Sequence, residues 1–188
     1  MRAIHAAFLL LGLAACVEQP QSWTREDQAR YTTRQFRGHS SAQIIAAAEK
    51  VLRLADPKDV KFEYESDGFL ARRSVLAYYV IAAATGNYIF DFSVKGSTAE
   101  LKIYSNISGV GPYTTIDTGG NTVPGIATTP GQQSLSQSAA EYDLFFSRLS
   151  YLLGESETWV GCNDVKTAYG LPRGRFEAMC LNADDNTP

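Results

Sequence analysis

Two hydrophobic periods succeed one another along this chain, and the change between them marks where helix gives way to sheet. Between Ser40 and Leu54, Ile44, Ile45, Ala48, Val51 and Leu52 recur at helical spacing and form one apolar face. Ser40 and Gln43 have the spacing of a capping box, in which each side chain satisfies a free backbone donor of the other residue. Asp56-Pro57 ends this helix, because the residue before proline is pushed out of helical geometry.

From Val60 the period falls to two. Val60, Phe62 and Tyr64 alternate with Lys61, Glu63 and Glu65, the pattern of a half-buried strand. Asp67-Gly68 reads as a hairpin turn whose two central residues need positive φ. The return strand starts near Phe69 and passes through Ala71, Arg73 and Val75. Leu76 to Ala84 is almost wholly apolar, and Tyr78, Tyr79, Val80 and Ile81 favour buried strand there; a short helix is the other reading. Gly86-Asn87 reads as the next turn, after which Tyr88, Phe90, Phe92 and Val94 alternate with Ile89, Asp91, Ser93 and Lys95. Gly96-Ser97 turns the chain again, and Leu101, Ile103 and Ile107 share a face. Sequential hairpin-linked strands predict an antiparallel meander with one buried face.

Residues 105–133 break both periods. These 29 residues hold six glycines, six threonines, three prolines and one charge, Asp117. They predict a long loop, which in a compact domain is usually functional or disordered. Its structured alternative is a mobile hairpin of Tyr113–Ile116 and Thr122–Thr129 around Gly119-Gly120-Asn121, with Pro124 keeping that strand at an edge. A second helix follows, where Ser138 and Glu141 suggest a capping box and Gly154 a C-terminal cap. Tyr142, Phe145, Phe146, Leu149, Leu152 and Leu153 form a stripe suited to packing on a sheet. The fold class expected is α+β: an antiparallel meander sheet with two main helices packed on one face, then a disulfide-closed C-terminal segment. This element order resembles the helix-grip domains of bacterial envelope lipoproteins, including BamC-type proteins.

The N-terminus adds an address. Arg2 precedes thirteen apolar-rich residues, Ala3 to Ala15, too short for the about 20 that a spanning helix needs. Positive start, apolar run and small residues before a cut describe a secretory signal peptide. Leu13-Ala14-Ala15-Cys16 also resembles the lipobox of bacterial lipoproteins. The resemblance implies cleavage after residue 15, lipidation (palmitate among the acyl groups) at Cys16, and no other membrane attachment. In that class an aspartate after the cysteine retains the protein in the inner membrane. Val17 stands there instead, so a Gram-negative host would place the chain on the periplasmic face of the outer membrane. The organisation expected is residues 1–15 as leader, 16–33 as polar tether, 34–182 as one domain and 183–188 as tail. Trp23 within the tether is either an interfacial aromatic near the membrane or a cap on the domain.

Charge and cysteine content narrow the chemistry. Removing the leader leaves sixteen basic and twenty acidic side chains, which argues against nucleic acid as a partner. Cys162 and Cys180 remain as an even pair, and in an exported chain such a pair reads as a disulfide. Its loop entropy is worth roughly 3 kcal/mol. Zinc is the rival reading, but two cysteines without a nearby histidine make a poor site. His39 is the one histidine left, and no Gly-x-Ser-x-Gly elbow accompanies it. Glu63 and Glu65 share a strand face that reads as solvated surface. The glycine-rich stretches lack the lysine and helix start of a phosphate loop. Arg72-Arg73 places one arginine toward the helix-covered face, where it would pair with Asp143 or Glu141 or receive an anionic ligand.

The sequence thus predicts a non-enzymatic envelope lipoprotein without cofactor, metal or catalytic set. It would be an accessory or scaffold meeting an envelope protein through a sheet edge or the 105–133 segment. The alternative is a periplasmic small-molecule or lipid-binding domain whose pocket between helix and sheet uses Tyr78, Tyr79, Tyr88, Phe145 and Phe146.

Overall fold

The computed structural model describes residues 22–56, 59–78, 83–116, 122–129, 131–170 and 179–180. In chain order these form α1 (Arg25–Thr32), β1 (Thr33–Gln35), α2 (Ser41–Ala55), β2 (Val60–Tyr64), β3 (Gly68–Tyr78), β4 (Ala83–Lys95) and β5 (Thr98–Ile116). They continue with β6 (Thr122–Thr129), β7 (Ser134–Leu135), α3 (Ala139–Leu152) and α4 (Cys162–Ala168). The seven strands make one antiparallel sheet in the order β1-β5-β4-β3-β2. Along its outer side β5 pairs in turn with β1 at Thr98–Glu100, β7 at Tyr104–Ser105 and β6 at Gly109–Ile116. This is the α+β meander with helices on one face.

The period-two pattern places the core. Phe69 and Ala71 on β3, Tyr88, Phe90, Phe92 and Val94 on β4, and Ala99, Leu101 and Ile103 on β5 are all at most 3% exposed. On them lie Ile44, Ala48, Val51 and Leu52 of α2 and Tyr142, Phe145, Phe146 and Leu149 of α3. Aromatic rings join the layers in a chain: Phe62 to Phe69 at 5.3 Å, Phe69 to Phe92 at 5.3 Å, Phe92 to Phe145 at 5.6 Å and Phe145 to Phe146 at 5.5 Å. The Tyr142 hydroxyl accepts the Ile103 N–H and donates to the Ser136 carbonyl, both at 3.2 Å. It thereby serves two backbone groups that sheet pairing leaves over.

Several local expectations need correction. Within the 16–33 tether, residues 25–32 are helix and pack on the domain. Thr24 and Asp27 form a capping box, and the Thr24 hydrogen bonds hold the Asp27 carboxyl below the usual carboxylate range. Trp23 stacks on Tyr31 at 4.8 Å and meets Tyr142 at 5.5 Å, so it caps the domain. Two rings thus secure a helix that has almost no apolar face of its own. The Ser138–Glu141 box is absent, because the Ser136 hydroxyl takes the Glu141 carboxylate at 2.6 Å. Ser40 and Gln43 do form theirs.

The turns also fall differently. Gly86 and Asn87 lie inside β4, opposite Val75 and Ser74, and residues 79–82, which connect β3 to β4, lie outside the described residues. Much of 105–133 is strand rather than loop, as β5 runs to Ile116 and returns as β6, with Pro124 on that outer strand. Leu76 is 51% exposed and Tyr64 62%, so the apolar pattern overstated burial at Tyr64 and, on β3 beyond its pairing with β2, at Leu76. Gly68 has an ordinary negative φ and is required for space instead. A Cβ there would lie 1.8 Å from the Phe92 carbonyl oxygen, on backbone that cannot swing aside.

Two tests follow from this packing. Gly68→Ala is expected to cost roughly 1–3 kcal/mol, the range for overpacking a filled site, seen as a lower urea midpoint at unchanged slope. Burial raises the Tyr142 phenol from its ordinary 10.0 to about 12. The folded state therefore holds that proton more tightly than the unfolded state. The resulting stability is complete below pH 10 and is lost as pH rises to about 12. Near-ultraviolet circular dichroism across that window should show the loss, and Tyr142→Phe should flatten this part of the profile.

Candidate functional site

Strand parity separates the two arginines singled out in the sequence. Arg72 faces out and forms a two-pronged pair with Glu63 across β2–β3, at 3.2 and 3.3 Å. This exposed pair raises the arginine pKa and lowers that of the carboxyl. Glu63 is thus a surface partner. Arg73 faces in, and its Nε donates to Asp56 Oδ2 at 3.0 Å; the two side chains are 1% and 7% exposed. The expected partners are engaged elsewhere. Asp143 accepts from Arg34 at 2.9 Å and from the Tyr169 hydroxyl, and Glu141 serves Ser136. Asp56 caps the C-terminus of α2, which brings its carboxylate over the inner face of β3. The pair is a buried brace between helix and sheet.

His39 sits just before α2, with Nε2 3.5 Å from Glu155 Oε1. With Gln43, Ala46, Ala47, Lys50, Leu152 and Leu153 it lines a shallow groove of about 390 Å³. Among the described residues that line this groove there is no serine or cysteine. Among the described residues no three His, Cys, Asp or Glu side chains converge as metal ligands. Tyr88, Phe145 and Phe146 are spent in the core, and the void beside α3 and α4 holds only about 10 Å³. Of the other ring residues proposed for a pocket, Tyr78 lies in β3 and Tyr79 outside the described residues. Cys16 and its lipobox also lie outside them.

Cys162 and Cys180 are joined, with Cα atoms 5.8 Å apart. The bridge holds α4 against α3, burying Val165 and Met179.

A feature that sequence reading missed is an open strand edge. β2 pairs with β3 only from Phe69 to Arg73, whereas β3 runs on to Tyr78. The Glu65 N–H donates to the Gly68 carbonyl, and the Val94 N–H to the Asp67 carbonyl. Antiparallel alternation then directs odd-numbered β3 residues to β4 and even-numbered ones to the β2 side. Beyond Arg73, the N–H and C=O of Ser74, Leu76 and Tyr78 point to an edge that no described strand occupies. Other edges are guarded: Lys61 and Glu63 stand exposed on β2, Pro124 interrupts β6, and β1 and β7 are very short. The β3 edge has neither charge nor proline. No charged side chain occurs from Ser74 through Phe90. The signal was available in the lengths, since Pro57 limits β2 while the apolar return strand continues.

Comparison with protein-family models, curated proteins and solved structures gave no match. The site therefore rests on its own geometry. Asp56→Ala should cost about 3–5 kcal/mol by breaking the buried Arg73–Asp56 ion pair. The Asp56→Leu/Arg73→Met double variant should recover most of that loss in urea denaturation.

Proposed function

We propose that this protein is a lipid-anchored accessory or scaffold of an envelope complex, held at the periplasmic face of the outer membrane through Cys16. It recruits an envelope protein by strand addition. The observation that carries the reading is the uncharged β3 edge at Ser74–Tyr78, next to Leu76, which is 51% exposed. An extended partner segment laid along it would exchange bonds with three residues and continue the place of β2. Strand addition draws affinity from main-chain bonds and specificity from alternate side-chain sites.

The lipobox resemblance supports the anchor, and Val17 the outer-membrane destination. Each buried CH₂ contributes about 0.8 kcal/mol, so several acyl chains hold firmly where one does not. A protein so confined meets membrane partners at raised effective concentration, which suits a small strand-pairing interface. A second reading, small-molecule or lipid binding, is favoured only by the groove beside His39, where Lys50 overlooks an apolar floor of Ala46, Ala47 and Leu153.

Site-specific photocrosslinking from position 76 in intact cells should capture one envelope protein, and capture should be lost on adding Leu76→Lys to a probe at Ser74. A probe at Lys61 should stay silent. Cys16→Ala should shift the chain from the membrane to the soluble fraction and abolish palmitate labelling. Capture from Lys61 alone, or from no position, would overturn the edge assignment.

A further inference from the structure

The disulfide has unequal surroundings at its two ends. Beside Cys162 lies Arg148, a guanidinium only 2% exposed, whose Nη2 is 3.6 Å from Cys162 Sγ. Arg148 is fixed in place. Its Nε donates to the Val160 carbonyl at 3.0 Å, and its guanidinium carbon sits 4.7 Å from the centre of the Trp159 ring. Trp159 in turn meets Tyr151 edge-on at 5.5 Å. At the other end, Cys180 shares a small void with Glu141, Leu144, Val165 and Met179. Among the described residues the cation stands at the Cys162 end; the Glu141 carboxylate is held by the Ser136 hydroxyl at 2.6 Å, and the Asp164 carboxylate accepts the Gly161 N–H at 2.9 Å.

A cation beside a sulfur stabilises its thiolate, and the sulfur with the more stable thiolate leaves faster in exchange. We propose that Cys162–Cys180 is a thiol-exchange site with a fixed polarity, in which Cys162 is the leaving thiolate and Cys180 the sulfur attacked. The thiolate of a dithiol reductant forms a bond to Cys180 Sγ. The Cys162–Cys180 bond breaks, and its electron pair stays on Cys162 Sγ beside Arg148. The reductant's second thiol then displaces Cys180, so the reductant becomes a disulfide and the protein gains two electrons and one proton, Cys162 staying thiolate and the other proton passing to solvent. Opening the bridge frees the chain between the two cysteines, including the Val165 contact of α4 with α3. The bond is then a reversible clasp on that face, independent of the lipid anchor and of strand addition.

The test is alkylation of the reduced full chain by iodoacetamide across pH, with each cysteine followed by peptide mass spectrometry. Cys162 should react with a midpoint at least about one pH unit below the ordinary thiol value of about 8.5, and Cys180 at or above it. Arg148→Met should move the Cys162 midpoint up and require about tenfold more dithiothreitol for half-opening, with Arg148→Lys between. Equal midpoints at the two cysteines, or a Cys162 midpoint at or above the ordinary value, overturn the proposal. The wild-type profile alone decides if the Arg148 variants do not fold.

Discussion

Everything else in this domain depends on the aromatic stripe of α3 lying on the inner face of the sheet. Tyr142, Phe145, Phe146 and Leu149 are at most 3% exposed, and Phe145 touches Phe92 at the centre of the ladder. Burying such a side chain contributes about 1.5–3 kcal/mol, and a well-placed ring pair adds about 0.5–1.5 kcal/mol. By comparison, the exposed ion pairs Arg72–Glu63 and Lys102–Glu100 are worth little. Burial on α3 therefore decides which sheet face is inside. That choice puts Arg73 in the interior and makes Asp56 at the end of α2 necessary as its partner.

The same packing fills the interior between the helices and the sheet. A core filled by Tyr88, Phe145 and Phe146 has no room for a ligand among those rings. The buried part of β3 ends near the Arg73–Asp56 brace, opposite Val60, where the pairing with β2 ends. From there outward β3, β4 and β5 form an extension that carries no charge on Ser74–Phe90. Natural sheets usually guard exposed edges with charge, proline or brevity. The unguarded segment is where strand addition meets least resistance, while β2 and β6 keep their guards.

Legibility in the sequence followed the strength of periodic burial. The two main helices and the strand carrying Tyr88, Phe90, Phe92 and Val94 were readable, because each repeats an apolar period over a long stretch. The disulfide followed from cysteine parity and the expected compartment. The helix at 25–32 was not, since Trp23 and Tyr31 are too few to make a period and its Thr24–Asp27 box sits in a polar run. Gly86-Asn87 misled because a glycine suited to a turn lies within a ladder. Asp67-Gly68 does mark the β2–β3 hairpin, but its glycine provides clearance for the Phe92 carbonyl and not a positive φ. The partner of Arg73 could not be read from spacing, because Asp56 reaches it only through the crossing of α2 over β3. For the candidate edge, each strand was visible but their unequal lengths were not compared.

Amide hydrogen exchange on the purified full chain, resolved residue by residue along β3, reports whether the edge is open. Alternation is expected: Val75 and Ala77 protected by β4, and Ser74, Leu76 and Tyr78 exchanging fast because their N–H groups face an open edge. Uniform protection from Ser74 to Tyr78 would show that the edge is already covered within the chain. That result would contradict the assignment of this edge as the place where a partner adds its strand.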